Sequence, residues 1–574
     1  MRLILLVALV LAPHVATGQT AVPAPERGTN GMVVSAHTDA SAAGREVLMA
    51  GGNAVDAAVA TGFALAVTYP VAGNVGGGGF MVIREPDGTA TTYDYRERAP
   101  SGATRDMFLD STGAFVPSRS QRGYLASGVP GAVAGMLKAH ADHGRLSRAA
   151  VLAPAIRLAR EGFVLTQRHA DRFNAYRDEF KKYPSTVKYF LPADTSQRWL
   201  PNHVFVQSDL ADVLQRIADE GPDGFYRGET ARLIAAEMER GDGLINEADL
   251  ADYFAVEREP ITGFYRGHKI LTMPPPSSGG IAVMQLLHSV EPYPVRELGY
   301  GSSALTHLMA EAMRRVYADR AEFLGDPDFV DVPIAGLVDP DYTRDRMANF
   351  NPYRATGSGD ITHGAPHESD QTTHYSAVDK DGQAVSVTTT LNGGYGSMVV
   401  VDGAGFFLNN EMDDFSAKPG TANMFGLLGA EANSIVPGKR MLSSMTPTIV
   451  EDPDGELLLV TGTPGGATII TTVFQVILNV VDHEMDIQRA VDAGRIHHQW
   501  FPDELRYEPY ALGPDAVDNL ELRGWDVVAR RGTGHPRQHP RPPRNPLSGR
   551  SLRPRRNPNP VDDAGAARSA GPPR

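Results

Sequence analysis

Gln371-Thr372-Thr373-His374-Tyr375-Ser376 stands where a polar stretch, Asn351 to Gln371, meets an apolar, β-branched run. A threonine hydroxyl is a poor nucleophile unless a base stands beside it. A free α-amine on the same residue, with a pKa near neutrality, is such a base. That chemistry requires the chain to be cut just before Thr372. Taken alone the segment is ordinary strand sequence, but its surroundings add to it. His374–Val378 and Gln383–Leu391 flank Asp379-Lys380-Asp381-Gly382, a hairpin signal. Thr372 and Thr390 lie equally far from Asp381, so antiparallel pairing sets the two hydroxyls opposite each other to within about one residue. Asn392 lies just beyond. Gly465 and Gly466 precede an apolar run, Ala467 to Val481, that reads as a helix. Two unhindered N–H groups there could hold a developing oxyanion, aided by the helix dipole.

Other chemistries find little support. The chain has 574 residues and no cysteine, which excludes disulfides, thiolate metal sites and a cysteine nucleophile. Its formal charge of −14 argues against a general nucleic-acid binder. Gly76–Gly79 lacks a following Lys-Ser/Thr and leads into a strand, so close backbone packing is a better use for it than phosphate binding. His497-His498 are adjacent and no HExxH or GxSxG motif occurs.

The positioning elements read as a layered α/β (α+β) fold. Thr38–Ala50 reads as an amphipathic helix and Ala54–Thr68 as a buried one. Phe80–Arg84 and Thr89–Glu97 form a hairpin, and Thr446–Val450 with Glu456–Thr461 another. Gly128–Phe350 reads as mainly helical, with Ala132–His143 and Ala304–Phe323 as examples.

Residues 1–18 have the charge, short apolar run and small-residue end of a secretory signal, implying an exported, periplasmic or secreted protein with no membrane span after signal removal. Residues 532–574 carry nine arginines, ten prolines and two aspartates with little apolar content, and read as a disordered or aberrant tail.

The chain resembles the γ-glutamyltransferases, N-terminal-nucleophile hydrolases, from about Gly31 to Arg531. The resemblance rests on GGNAVDAAVA from Gly51, GNVGGGGF from Gly73, YDYRERAP from Tyr93, SGVPGAVAG from Ser127 and PPPSSGG from Pro274. It continues through QTTHYS from Gln371, LNNEMDDFS from Leu408, KRMLSSMTPT from Lys439 and GTPGGATIITT from Gly462. It implies a four-layer αββα sandwich and a precursor that cuts itself at Gln371–Thr372. The products would be a large chain, 19–371, and a small chain, 372–531 plus the tail, held together as a heterodimer. Thr372 would be the acyl nucleophile, Thr390 its hydrogen-bond partner, and Gly465 and Gly466 the oxyanion hole. Arg96, Ser443 and Ser444 would take the substrate α-carboxylate, and Asn392, Glu411 and Asp414 its α-ammonium. The implied reaction moves the γ-glutamyl group of glutathione or a related amide to water, or to an amino-acid or peptide amine, with no cofactor and no metal.

Two departures stand out. The stretch matching a lid, Pro419–Ala430, carries Phe425 where some bacterial members have a tyrosine that meets the site Asn, so that hydroxyl contact to Asn392 is absent. The Pro/Arg tail replaces a last pair of strands, through loss or a slipped reading frame. Two other functions compete: a glutaryl (cephalosporin-type) acylase of the same fold, which has no need of Glu411 and Asp414, and an unprocessed exported binding protein.

Overall fold

The computed structural model describes residues 24–362, 372–424 and 426–530. The expected signal, Gln371, Phe425 and the tail lie outside the described residues.

Two stacked sheets carry helices on their outer faces. The first has strands β1 (Gly31–Val34), β2 (Gly78–Arg84), β3 (Ala90–Tyr95), β4 (Val256–Arg258), β7 (Thr373–Asp379) and β8 (Ala384–Thr390), in the order β1-β7-β8-β2-β3-β4, with every neighbouring pair antiparallel. The second has β5 (Ile261–Tyr265), β6 (His268–Thr272), β9 (Thr448–Glu451) and β10 (Leu457–Thr461), in the order β10-β9-β6-β5. Helices α1 (Thr38–Met49), α2 (Ala54–Thr68), α3 (Ala132–His143) and α4 (Arg148–Glu161) cover the first sheet. Helices α5 (Gly279–Val290), α6 (Ser303–Phe323) and α7 (Thr468–Val481) cover the second. Val82, Leu271, Ala384 and Ile449 pack between the sheets. The four-layer αββα expectation is met.

The helix-rich reading of the middle region missed β5 and β6. They are five residues each and form a tight hairpin around Arg266-Gly267, but only β6 pairs with β9, far along the chain, and Gly263 and the exposed Phe264 break the alternation that would announce them.

Helix α2 is buried along all its residues, as its apolar run implies. Asn53 and Asp56 close a capping box at its start. The Ala54 N–H donates to Asp379 and the Val55 N–H to Gln383, so the β7–β8 hairpin itself satisfies helix N–H groups that the helix cannot.

The Gly76–Gly79 run serves close packing. A Cβ on Gly77 would strike the Thr390 carbonyl, and one on Gly79 the Thr388 carbonyl at 2.6 Å. A Cβ on Gly78 would meet the Glu97 carboxylate at 2.6 Å. Glycine here lets the end of β8 lie flat on the start of β2.

Replacing Gly77 by Ala should therefore destabilise the protein by about 2 kcal/mol or more, because backbone has to move. Gly336, whose Cβ would meet nothing within 4 Å, is the control, and Gly336→Ala should leave the urea midpoint unchanged. Equal midpoints for both variants would refute the packing role.

Candidate active site

The β7–β8 register pairs Thr373 with Thr389, so the next pair out is Thr372 and Thr390, as the hairpin spacing requires. Both side chains line a pocket of about 500 Å³. The Thr390 hydroxyl oxygen accepts the Asn392 N–H at 2.7 Å, which leaves its proton for another acceptor. Asn392 reaches that position with φ 72°, a left-handed conformation that asparagine tolerates. Its side-chain amide donates to the Asn410 carbonyl at 2.9 Å.

Arg96, Asn392, Glu411, Asp414, Ser443, Ser444 and Gly466 line the same pocket, so the structure gathers these sequence candidates in one place. Gly465 and Gly466, with φ 137° and 54°, form the turn ahead of α7, and α7 starts from the Gly465 and Gly466 carbonyls, which accept the Thr468 and Ile469 N–H groups. Both φ values favour glycine.

Arg96 follows β3 and is buried. It lies 2.5 Å from Glu411, pairs with Asp414, and lies 3.5 Å from Glu97. Its Nε and Nη2 also donate to the Met441 and Leu442 carbonyls, each at 3.2 Å. The guanidinium is thus surrounded by acids rather than left as an open fork. Burial is the largest influence on Glu97, Glu411 and Asp414 and raises all three carboxyls, against the pull of Arg96.

Sequence reasoning missed several neighbours. Arg320 lines the pocket from α6 and is 4% exposed. Burial lowers its guanidinium to about 10. Its signal was a charge on an apolar helix face, in step with Met309, Met313 and Tyr317. The lid stretch is tied down at several points. Asn423 donates to Asp414 at 2.9 Å, the Met424 N–H donates to Asp413 at 2.6 Å, and the Asn410 amide lies 3.2 Å from the Met424 sulfur. That sulfur also stands 3.6 Å from the Asn392 amide, at the residue before Phe425. Among the described residues no group of three His, Cys, Asp or Glu is placed to hold a metal ion, and no helix is long and apolar enough to cross a membrane.

The gamma-glutamyltranspeptidase family profile matches residues 40–538. The glutathione hydrolase proenzyme of Escherichia coli K12 is 48% identical over 512 residues, covering 89% of this chain and 88% of that one. The crystal structure of cephalosporin acylase from Bacillus halodurans superposes with TM-score 0.78 at 27% identity, over 90% of this chain and 93% of that one. The gamma-glutamyltranspeptidase structure of Helicobacter pylori gives TM-score 0.58 at 44% identity, over 60% of this chain and 97% of that one. The layered sheets, the paired threonines and this match over most of its length together make the chain a member of the gamma-glutamyltranspeptidase family.

Proposed function

We propose that the protein is an exported enzyme that cleaves itself between Gln371 and Thr372 and then transfers or hydrolyses γ-glutamyl groups, with glutathione as a substrate. The observation that carries this reading is the single pocket holding Thr372, Thr390, Gly466 and the charged set Arg96, Glu411 and Asp414. Residues 1–18 would direct export, and residues 19–371 and 372–574 would form the two mature chains.

In the first half-reaction the Thr372 hydroxyl attacks the γ-carbonyl and its own α-amine takes the proton. The tetrahedral oxyanion is held by the Gly465 and Gly466 N–H groups at the start of α7. Collapse releases the amine and leaves a γ-glutamyl ester on Thr372. Water or an acceptor amine then attacks that ester, giving ping-pong kinetics. Thr390 orients the nucleophile, since its oxygen is already occupied by the Asn392 N–H.

The α-amino acid end of the substrate meets a cluster that is already ion-paired. An α-ammonium can replace Arg96 as partner to Asp414 and Glu411 while the α-carboxylate takes the freed guanidinium edge. A glutaryl group brings a carboxylate alone and would leave the two acids without an ammonium. Glu411 and Asp414 therefore favour γ-glutamyl over glutaryl substrates.

Three outcomes follow from this assignment. Intact mass of the exported wild-type protein under denaturing conditions should give two chains, the smaller beginning at Thr372, while Thr372→Ala should give one uncut chain. Two chains from Thr372→Ala would sink the nucleophile assignment. On the mature enzyme, γ-glutamyl-4-nitroanilide should be cleaved at least about a hundredfold faster than glutaryl-4-nitroanilide, as expected when buried charges are left unpaired. Asp414→Asn should narrow that ratio by lowering only the γ-glutamyl rate, and equal rates in the wild type would favour an acylase.

The third outcome concerns Asp413, which holds the lid stretch at Met424. Burial raises this carboxyl to about 7 from its ordinary 3.8. The folded state therefore prefers it protonated. Its stabilising contribution is full below pH 3.8 and is lost as pH rises through about 7. Asp413→Asn should flatten the pH dependence of urea stability between pH 5 and 8 by about 2 kcal/mol. An unchanged slope would place the proton elsewhere.

A further inference from the structure

Two guanidinium groups line the pocket, and their electrostatic situations are opposite. Arg96 faces Glu97, Glu411 and Asp414. Arg320, equally buried, has no carboxylate within ion-pair distance among the described residues and donates instead to two hydroxyls. Its Nε reaches Ser278 Oγ at 2.8 Å and its Nη2 reaches Ser444 Oγ at 3.0 Å.

The first of those bonds connects Arg320 to the PPPSSGG segment, which the reaction chemistry leaves without a role, and the second connects it to Ser444. Ser278 Oγ donates onward to the Ser443 carbonyl at 2.6 Å, and the Ser278 N–H reaches the same carbonyl at 2.7 Å. The Ser443 N–H donates to the Pro276 carbonyl at 2.9 Å, and Ser277 Oγ donates to the Met445 carbonyl at 2.5 Å. Residues 276–278 therefore grip the backbone of 443–445 from one side. A Cβ on Gly279 would strike Thr446, so the approach depends on glycine there.

The hydroxyl protons follow from this accounting. Ser444 Oγ accepts from Arg320, and Ser443 Oγ accepts the Met445 N–H at 3.1 Å. A hydroxyl has one proton to give, and when its oxygen is already receiving, that proton turns to a new acceptor. Both serines line the pocket, so both become donors aimed at an incoming anion.

We propose that Arg320 is a positioning residue for α-carboxylate recognition: through Ser444, and through Ser278 to the Ser443 backbone, it commits the two serine hydroxyls as donors to the carboxylate. It also supplies a buried positive charge that forms no ion pair with a carboxylate among the described residues. This rests on the γ-glutamyl reading above.

The test uses the mature two-chain enzyme and two substrates, γ-glutamyl-4-nitroanilide and the same anilide with its α-carboxylate capped as a primary amide. Arg320→Gln should raise KM for the first about ten- to a hundredfold, with kcat changed less than about threefold, as loss of a charge-assisted contact made in the ground state requires. On the capped substrate kcat/KM should stay within about twofold of wild type, because no carboxylate remains to be recognised. Ser278→Ala should show the same split with a smaller factor, and Arg320→Lys should recover part of the lost affinity. An equal loss on both substrates, or an unchanged KM, overturns the proposal. Should Arg320→Gln fail to accumulate as mature enzyme, Arg320→Lys and Ser278→Ala carry the same comparison, and equal losses there overturn it too. A wild-type enzyme inert toward the uncapped anilide would instead refute the γ-glutamyl reading itself.

Discussion

The fold of this protein converges on one buried cation. Arg96 leaves the end of β3 and is met by Glu411 and Asp414 from a short helical turn and by the carbonyls of Met441 and Leu442. Removing a guanidinium and three carboxyls from water is costly, and only dense mutual pairing offsets it. That pairing therefore fixes three distant stretches of chain relative to one another. On the proposed reading it also prepares the site for a ligand that is itself a zwitterion. An α-amino acid carries one charge of each sign, so it can enter without changing the net charge of the pocket. A simple anion or cation cannot.

The proposed nucleophile is held by a different constraint, backbone proximity. The β7–β8 register sets Thr372 against Thr390, while the glycines of β2 let the end of β8 lie close on the sheet. The hairpin turn is anchored through Asp379 and Gln383 to the start of α2. A helix buried on every side is a rigid base, and the hairpin inherits that rigidity at the end opposite the threonines. Precision at Thr372 is thus assembled from main-chain contacts, which leaves side chains free for recognition.

These origins explain what could be read from the sequence. The threonine pair was legible because period-two alternation and an Asp-Lys-Asp-Gly turn set a register with no further information. Helix α2 was legible from its unbroken apolar run behind Asn53 and Asp56. The grip of residues 276–278 on 443–445 was not, since it uses irregular backbone paired across some 165 residues and has no periodicity. Strands β5 and β6 were hidden for a related reason: Phe264 is exposed and Gly263 sits mid-strand, which blurs the alternation. Arg320 offered only a charge on an apolar helical face, and a helix reading predicts burial there without saying what is buried beside it.

On the proposed reading, the two guanidiniums divide the work of recognising one amino acid. Arg96 sits in a field of acids, so its positive charge is largely compensated before any ligand arrives. Arg320 stands behind two hydroxyls and forms no ion pair with a carboxylate among the described residues. On that reading, a carboxylate approaching the serines meets donors whose direction is fixed in advance, and an ammonium approaching Glu411 and Asp414 meets carboxyls that burial raises and Arg96 pulls back down. In the proposed arrangement, the two serines and the freed edge of Arg96 take the negative group, and Glu411 and Asp414 take the positive one. A pocket with a single central arginine would attract any carboxylate. On the proposed reading, splitting the cations lets the site distinguish an amino acid from a simple diacid, the difference between a γ-glutamyl and a glutaryl substrate.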